Sequence, residues 1–155
     1  MLNKPIALTG DDYKRAIGWY MEHGGKSTMF GHEKRLELFG FLGEAAFFSM
    51  KPMSLRVDEK GHDFISNGKR VEVKTTTNPY PPRPNFEMCI TKVEAPETYD
   101  LIACFYADTK SFDIYYLGYL YPQDLVGKFR PVGFEIPGGN KLRSACYRIP
   151  FSELR

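Results

Sequence analysis

Apolar and polar positions alternate on either side of Asn67-Gly68, reading Asp-Phe-Ile-Ser before it and Lys-Arg-Val-Glu-Val-Lys after it. That pattern predicts a β-hairpin with a two-residue turn. In this register Ser66 faces Lys69, Ile65 faces Arg70, Phe64 faces Val71 and Asp63 faces Glu72. Phe64, Val71 and Val73 then share one face, and Asp63, Glu72 and Lys74 share the other. Directly opposed carboxylates repel, so a divalent cation between Asp63 and Glu72 would relieve the pair.

Helical spacing governs the first third of the chain. Thr9 is an N-cap candidate, Asp11 and Asp12 suit a first turn, and Tyr13, Ala16, Ile17, Tyr20 and Met21 recur at helical intervals until Gly24-Gly25. The segment reads as a packing helix, with a dimer contact through Trp19 as the alternative. A second helix is predicted over about 29–48, with a stripe of Leu36, Phe39, Leu42, Gly43, Ala46 and Phe47. Glu33, Glu37 and Glu44 fall on one side of it, but Glu37 and Glu44 are ~10 Å apart along the axis and cannot serve one metal centre. Glu44 is the chosen one, because Gly43-Glu44-Ala45-Ala46 allows close approach to a sheet.

A short strand over 54–57 precedes the hairpin, where Asp58, Glu59 and His62 are rival ligands. Thr75-Thr76-Thr77 extend the second hairpin strand until four prolines within residues 79–84 stiffen an exposed loop. Strands follow over 86–93, over the nearly continuous apolar run 101–107, over 112–121 and over 146–149. A short helical turn is expected over 122–127, and 150–154 dock on the domain. No repeat or domain boundary interrupts the chain, which reads as one domain over 1–155, with an N-terminal helix over 1–25 available for oligomerisation and a core over 29–154.

Composition narrows the setting. With 155 residues, 43% hydrophobic and 26% charged, the chain suits one globular domain. A net charge of +2 does not by itself mark a nucleic-acid binder. Cys89, Cys104 and Cys146 are widely spaced, which argues for a reducing compartment and against a disulfide framework or zinc module. Without a signal peptide or a run long enough to span a membrane, the expectation is a soluble, cytoplasmic protein with no membrane partner, in a cell or in the host of a phage or mobile element.

Asp63 followed by Glu72-Val73-Lys74, on a hairpin with a glutamate-bearing helix before it, resembles the signature of the PD-(D/E)XK, or restriction-endonuclease-like, nuclease superfamily. The small phage-type and homing members are the nearest in kind. Tyr99-Asp100-Leu101-Ile102-Ala103-Cys104 and Leu117-Gly118-Tyr119-Leu120 ahead of a short helix also resemble it. The likeness covers about 31–154, and its specific part is the catalytic stretch. The family's usual proline before the aspartate is His62 here.

The resemblance implies an α/β fold, a restriction-endonuclease-like core with a central mixed β-sheet flanked by helices. It also implies a magnesium-dependent DNA endonuclease, with manganese as a substitute metal, acting on double-stranded DNA as a homodimer or higher oligomer. Asp63, Glu72 and the Val73 carbonyl would bind metal, Lys74 would orient or deprotonate the attacking water, and Glu44 would hold a metal-bound water or second cation. Lys51, Arg70, Thr75, Thr76, Asn78 and Arg83 would contact DNA, with Lys128, Arg130, Lys141 and Arg143 as the alternative surface. The competing readings are a catalytically silent DNA-binding or assembly module on the same fold, and an RNA-processing or DNA-repair nuclease. His23, His32 and His62 lack the spacing of a histidine-based metal nuclease.

Overall fold

A computed structural model describes residues 4–23, 34–59, 61–91, 93–136 and 138–155. The first helix, α1, is Gly10–His23 and the second, α2, is Lys34–Met50. Thr9 caps α1 reciprocally: its hydroxyl accepts the Asp12 N–H at 3.2 Å and the Asp12 carboxylate accepts the Thr9 N–H at 2.8 Å. Glu33, the Gly24-Gly25 stop and the expected start of the second helix lie outside the described residues.

The strands are β1 (Leu55–Glu59), β2 (His62–Ser66), β3 (Lys69–Asn78), β4 (Glu87–Ile90), β5 (Leu101–Asp108), β6 (Ile114–Leu120), β7 (Phe129–Arg130) and β8 (Cys146–Pro150). A mixed five-stranded sheet runs β1-β2-β3-β5-β6, and a separate three-stranded sheet runs β4-β8-β7. Only the β3–β5 pair in the larger sheet is parallel; β1–β2, β2–β3 and β5–β6 are antiparallel. The fold is therefore α/β with a central mixed sheet, as the sequence implies. Flanking by helices needs correction. Both described helices pack on one face, while the other is covered by the small sheet.

Two apolar cores follow from that layering. Phe39, Leu42, Ala45, Ala46 and Phe47 of α2 meet Phe64, Val71, Val73, Ala103 and Phe105 on the helix side. Met88, Ile90, Tyr99, Ile102, Cys104, Tyr106 and Ile149 fill the other side. β5 feeds both cores, which is why its sequence is apolar almost throughout.

α1 sits differently from its expected stripe. Asp12 and Ala16 are buried, and Trp19 packs edge-on against Phe48 and Phe64, with ring centroids 6.5 and 6.2 Å apart. Tyr13, Ile17 and Met21 are exposed instead. Positions 12, 16 and 19 are also helically spaced, and burying the large indole decides the rotation. The segment is thus the packing helix the sequence suggests, with Trp19 half-buried in the domain's own core.

Candidate active site

The hairpin forms in the register that Asn67-Gly68 dictates, with Ser66 on Lys69, Ile65 on Arg70 and Phe64 on Val71. Asn67 and Gly68 both take positive φ, 49° and 74°, as a turn of this kind requires. The next pair, Asp63 with Glu72, is not made. From Val71 onward β3 is zipped to β5, Val71 with Leu101 through Asn78 with Asp108. On the other flank of β2, the β1–β2 register slips between Arg56 and Glu59. β2 and β3 thus part at Asp63, and its carboxylate accepts the Val73 N–H at 2.8 Å. The expected face-to-face repulsion is replaced by a gap in the sheet into which the carboxylate turns.

α2 brings Glu44 to this gap. Gly43 makes the approach feasible, since a Cβ there would lie 2.0 Å from the Thr75 hydroxyl oxygen, and Ala45 and Ala46 are fully buried. β1 contributes Arg56, which forms an ion pair with Glu44 while its guanidinium lies 3.9 Å from the centre of the Trp19 ring. On β3, the Lys74 ammonium is 2.8 Å from the Glu72 carboxylate.

These charges act on one another. Burial pushes the Asp63 carboxyl well above its ordinary value, and the Glu44 and Glu72 charges push it further; the Val73 N–H and Lys74 oppose them. Glu44 is also raised, first by burial, with Arg56 and Lys74 opposing and Glu72 adding. Four charged groups from α2, β2 and β3 therefore form one electrostatic cluster. Glu44 and Lys74 open from it onto a cleft of about 470 Å³.

No family model, no curated protein and no solved structure matches the chain. The site therefore stands on its own geometry and chemistry.

Glu37 lines the same cleft and has a buried carboxylate oxygen without a hydrogen-bond partner, but it is absent from the charges that act on Asp63. The donor set Glu44, Asp63, Glu72 and the Val73 backbone is all oxygen, which suits a hard dication such as magnesium. The charge balance suits it too, since three carboxylates face two cations in a site where burial resists ionisation. Among the described residues, no three carboxylate, histidine or cysteine side chains already close round a common point.

The expected DNA-contacting residues scatter. Thr75 lines the cleft, but its hydroxyl oxygen is buried beside Gly43. Thr76 must be corrected: it is buried, accepts the Cys89 N–H at 3.0 Å and donates to the Cys89 carbonyl. Arg70 keeps a partly exposed guanidinium, held by the Asp100 carboxylate and the Glu97 carbonyl. Asn78 lines an adjoining cleft of about 480 Å³, and exposed Arg83 sits 5.9 Å from the Tyr80 ring centre. Lys51 borders a separate cleft beyond the end of α2.

On the alternative surface, Lys128 is paired with Glu153, and Arg130 donates to the Gly127 and Phe129 carbonyls. Lys141 and Arg143 are exposed. A cavity of about 630 Å³ lies there, lined by Lys128 and Arg130. Of the cations lining it, Lys128 and Arg148 are neutralised by Glu153 and Glu87, whereas Arg130 bonds backbone carbonyls.

Sequence reasoning missed Arg56 and Tyr99. Tyr99 is buried with its hydroxyl unpartnered, and its ionisation is pushed up by burial and then by the Glu72 charge. His62, in the place of the family's proline, is buried with Nδ1 2.9 Å from the Thr98 carbonyl. Rival ligand Asp58 is a β1 residue whose side chain lies outside the description, as is that of Glu59.

Proposed function

We propose that the chain is a metal-dependent nuclease that hydrolyses DNA phosphodiester bonds through Glu44, Asp63, Glu72 and Lys74, and that it belongs with the PD-(D/E)XK nucleases it resembles. The observation that carries the reading is the coupling of those four side chains at the point where β2 leaves β3, beside an open cleft.

Asp63, Glu72 and the Val73 carbonyl would hold the metal, and Glu44 would hold a metal-bound water or a second cation. Bound magnesium would supply water activation and offset charge on the phosphate. Lys74, fixed on Glu72, orients the attacking water and donates to the oxygen that gains charge. The water loses one proton as its oxygen bonds to phosphorus, one phosphorus–oxygen bond breaks, and the departing oxygen takes up one proton in its place. One such site cuts one strand, so a double-strand break calls for two copies, which is the proposed role of a homodimer.

The test is substitution. Asp63→Asn and Glu72→Gln should each abolish magnesium-dependent cleavage while far-UV circular dichroism stays unchanged. Lys74→Ala should lose most of the rate yet still bind DNA in calcium. Normal turnover in either carboxylate variant would exclude this centre.

A second reading, a silent nucleic-acid-binding module, draws on the ion pairs that already occupy Glu44 and Glu72. Binding without cleavage of DNA or RNA under any divalent metal would favour it.

A further inference from the structure

Beyond the carboxylate cluster, α2 ends at Met50 and leaves part of the helix-side face of the sheet uncovered. A cleft of about 330 Å³ opens there, floored by apolar residues of α2, β3 and β5 and walled by Lys51, Lys69, Tyr116, Tyr119 and Tyr121. Residues three apart in a regular strand point to opposite faces. Tyr116 and Tyr119 share this cleft because the β5–β6 ladder slips, Tyr116 pairing with Phe105 but Gly118 with Cys104. Gly118 carries the kink at φ 132°, and a Cβ there would meet the Arg155 carbonyl oxygen at 2.5 Å. A bulge of this kind re-aims side chains, and bulges concentrate beside functional sites.

The aromatic wall is propped from behind. Tyr119 meets Tyr121 edge-on at 5.6 Å, and the Arg155 guanidinium, forked onto Asp124 at 2.9 Å, lies 5.0 Å from the Tyr121 ring centre. Lys51 and Lys69 are exposed and form no ion pair among the described residues, and no carboxylate lines the cleft. Asp100, which interacts with Lys69, is itself held by Arg70. The carbonyl end of α2 disfavours an anion, and Lys51 at that end offsets it.

Aromatic faces beside unpaired ammonium groups recognise a base that carries a phosphate. We infer that this cleft binds one nucleotide unit, its base on the tyrosines and its phosphate on Lys51 and Lys69. The unit is either a free mononucleotide or the unpaired end of a nucleic-acid strand. Only the second source rests on the nuclease reading; Lys51 lies roughly 10 Å along the helix axis from Glu44, within reach of one strand.

The experiment uses the full chain in EDTA. Calorimetry compares thymidine 5′-monophosphate, thymidine and inorganic phosphate, while anisotropy follows a 5′-phosphorylated single-stranded oligonucleotide. Photocrosslinking of the same strand carrying 5-iodouracil maps the contact. Tyr119→Ala and the double variant Lys51→Ala/Lys69→Ala should each weaken nucleotide or strand binding about tenfold or more, with crosslinks on the Tyr119 peptide. Binding of the mononucleotide alone assigns the free nucleotide, and much tighter binding of the strand assigns the strand end. Should Tyr119→Ala not fold, the exposed lysines decide. Unchanged binding in the variants, phosphate bound as tightly as nucleotide, or no binding at all would overturn the inference. Cleavage of DNA with binding indifferent to Tyr119 and the lysines would sink this site and spare the nuclease reading. A Tyr119 crosslink without cleavage would do the reverse.

Discussion

Asp63 is the residue on which the site's electrostatics turn. Its carboxyl is raised in the folded protein, so in the absence of metal the native state holds this proton more tightly than the unfolded chain does. The associated stability is complete below the ordinary carboxylate value, and it is lost as pH rises through the raised folded value. Asp63→Asn keeps an acceptor for the Val73 N–H and carries no charge. It should therefore raise the melting temperature of the metal-free protein at neutral pH, with the gain vanishing below pH 3.8, the ordinary value for Asp. A gain that persists under strong acid would mean that packing, not charge, is responsible.

Arg56 is the reciprocal case. Its removal leaves Glu44 buried beside Asp63 and Glu72 and strips the cation from Trp19, so Arg56→Ala should cost about 3 kcal/mol in urea unfolding at neutral pH. Within the helix, Glu44→Ala should reduce cleavage far more than Glu37→Ala. The opposite order would move the site about two turns along α2.

Among the elements, α2 approaches β3 closely at Gly43, and its two mid-helix glycines separate contact from propensity. Gly40 has open space where a Cβ would go, whereas at Gly43 that atom would strike the Thr75 hydroxyl. Gly40→Ala should stabilise by up to about 1 kcal/mol, the helix-propensity gain, and Gly43→Ala should destabilise. Thermal melts of the two variants check this, and equal gains would mean that α2 does not approach β3 at Gly43.

The same elements show how far the sequence could be read. Asn67-Gly68 made the hairpin register legible, because a two-residue turn leaves no freedom in the pairing that follows. β5 was legible as a nearly continuous apolar run, and β6 falls within the strand expected over 112–121. That β4 and β8 leave the main sheet to pair with each other was not, since partner choice is a long-range matter that no local pattern encodes. β7, two residues long, has no pattern to read. Asp63, Glu72 and Lys74 could be singled out because they lie on one hairpin. Arg56 and Tyr99 reach the site only through the β1–β2 pairing and the far core, and neither carries a mark in its own neighbourhood.

For the whole molecule, the layers explain why one end of the sheet is chemical. Helices cover one face and the three-stranded sheet the other, so the break between β2 and β3 is where buried carboxylates from two strands and a helix meet beside a cleft. Nuclease action by the whole molecule is tested with supercoiled plasmid. Purified protein is incubated with plasmid in EDTA and in magnesium, and the products are resolved by gel. The expected result is no change in EDTA, and nicked or linear DNA in magnesium that disappears with Glu72→Gln. Plasmid left intact in magnesium and manganese, or cut equally well by Glu72→Gln, would contradict it.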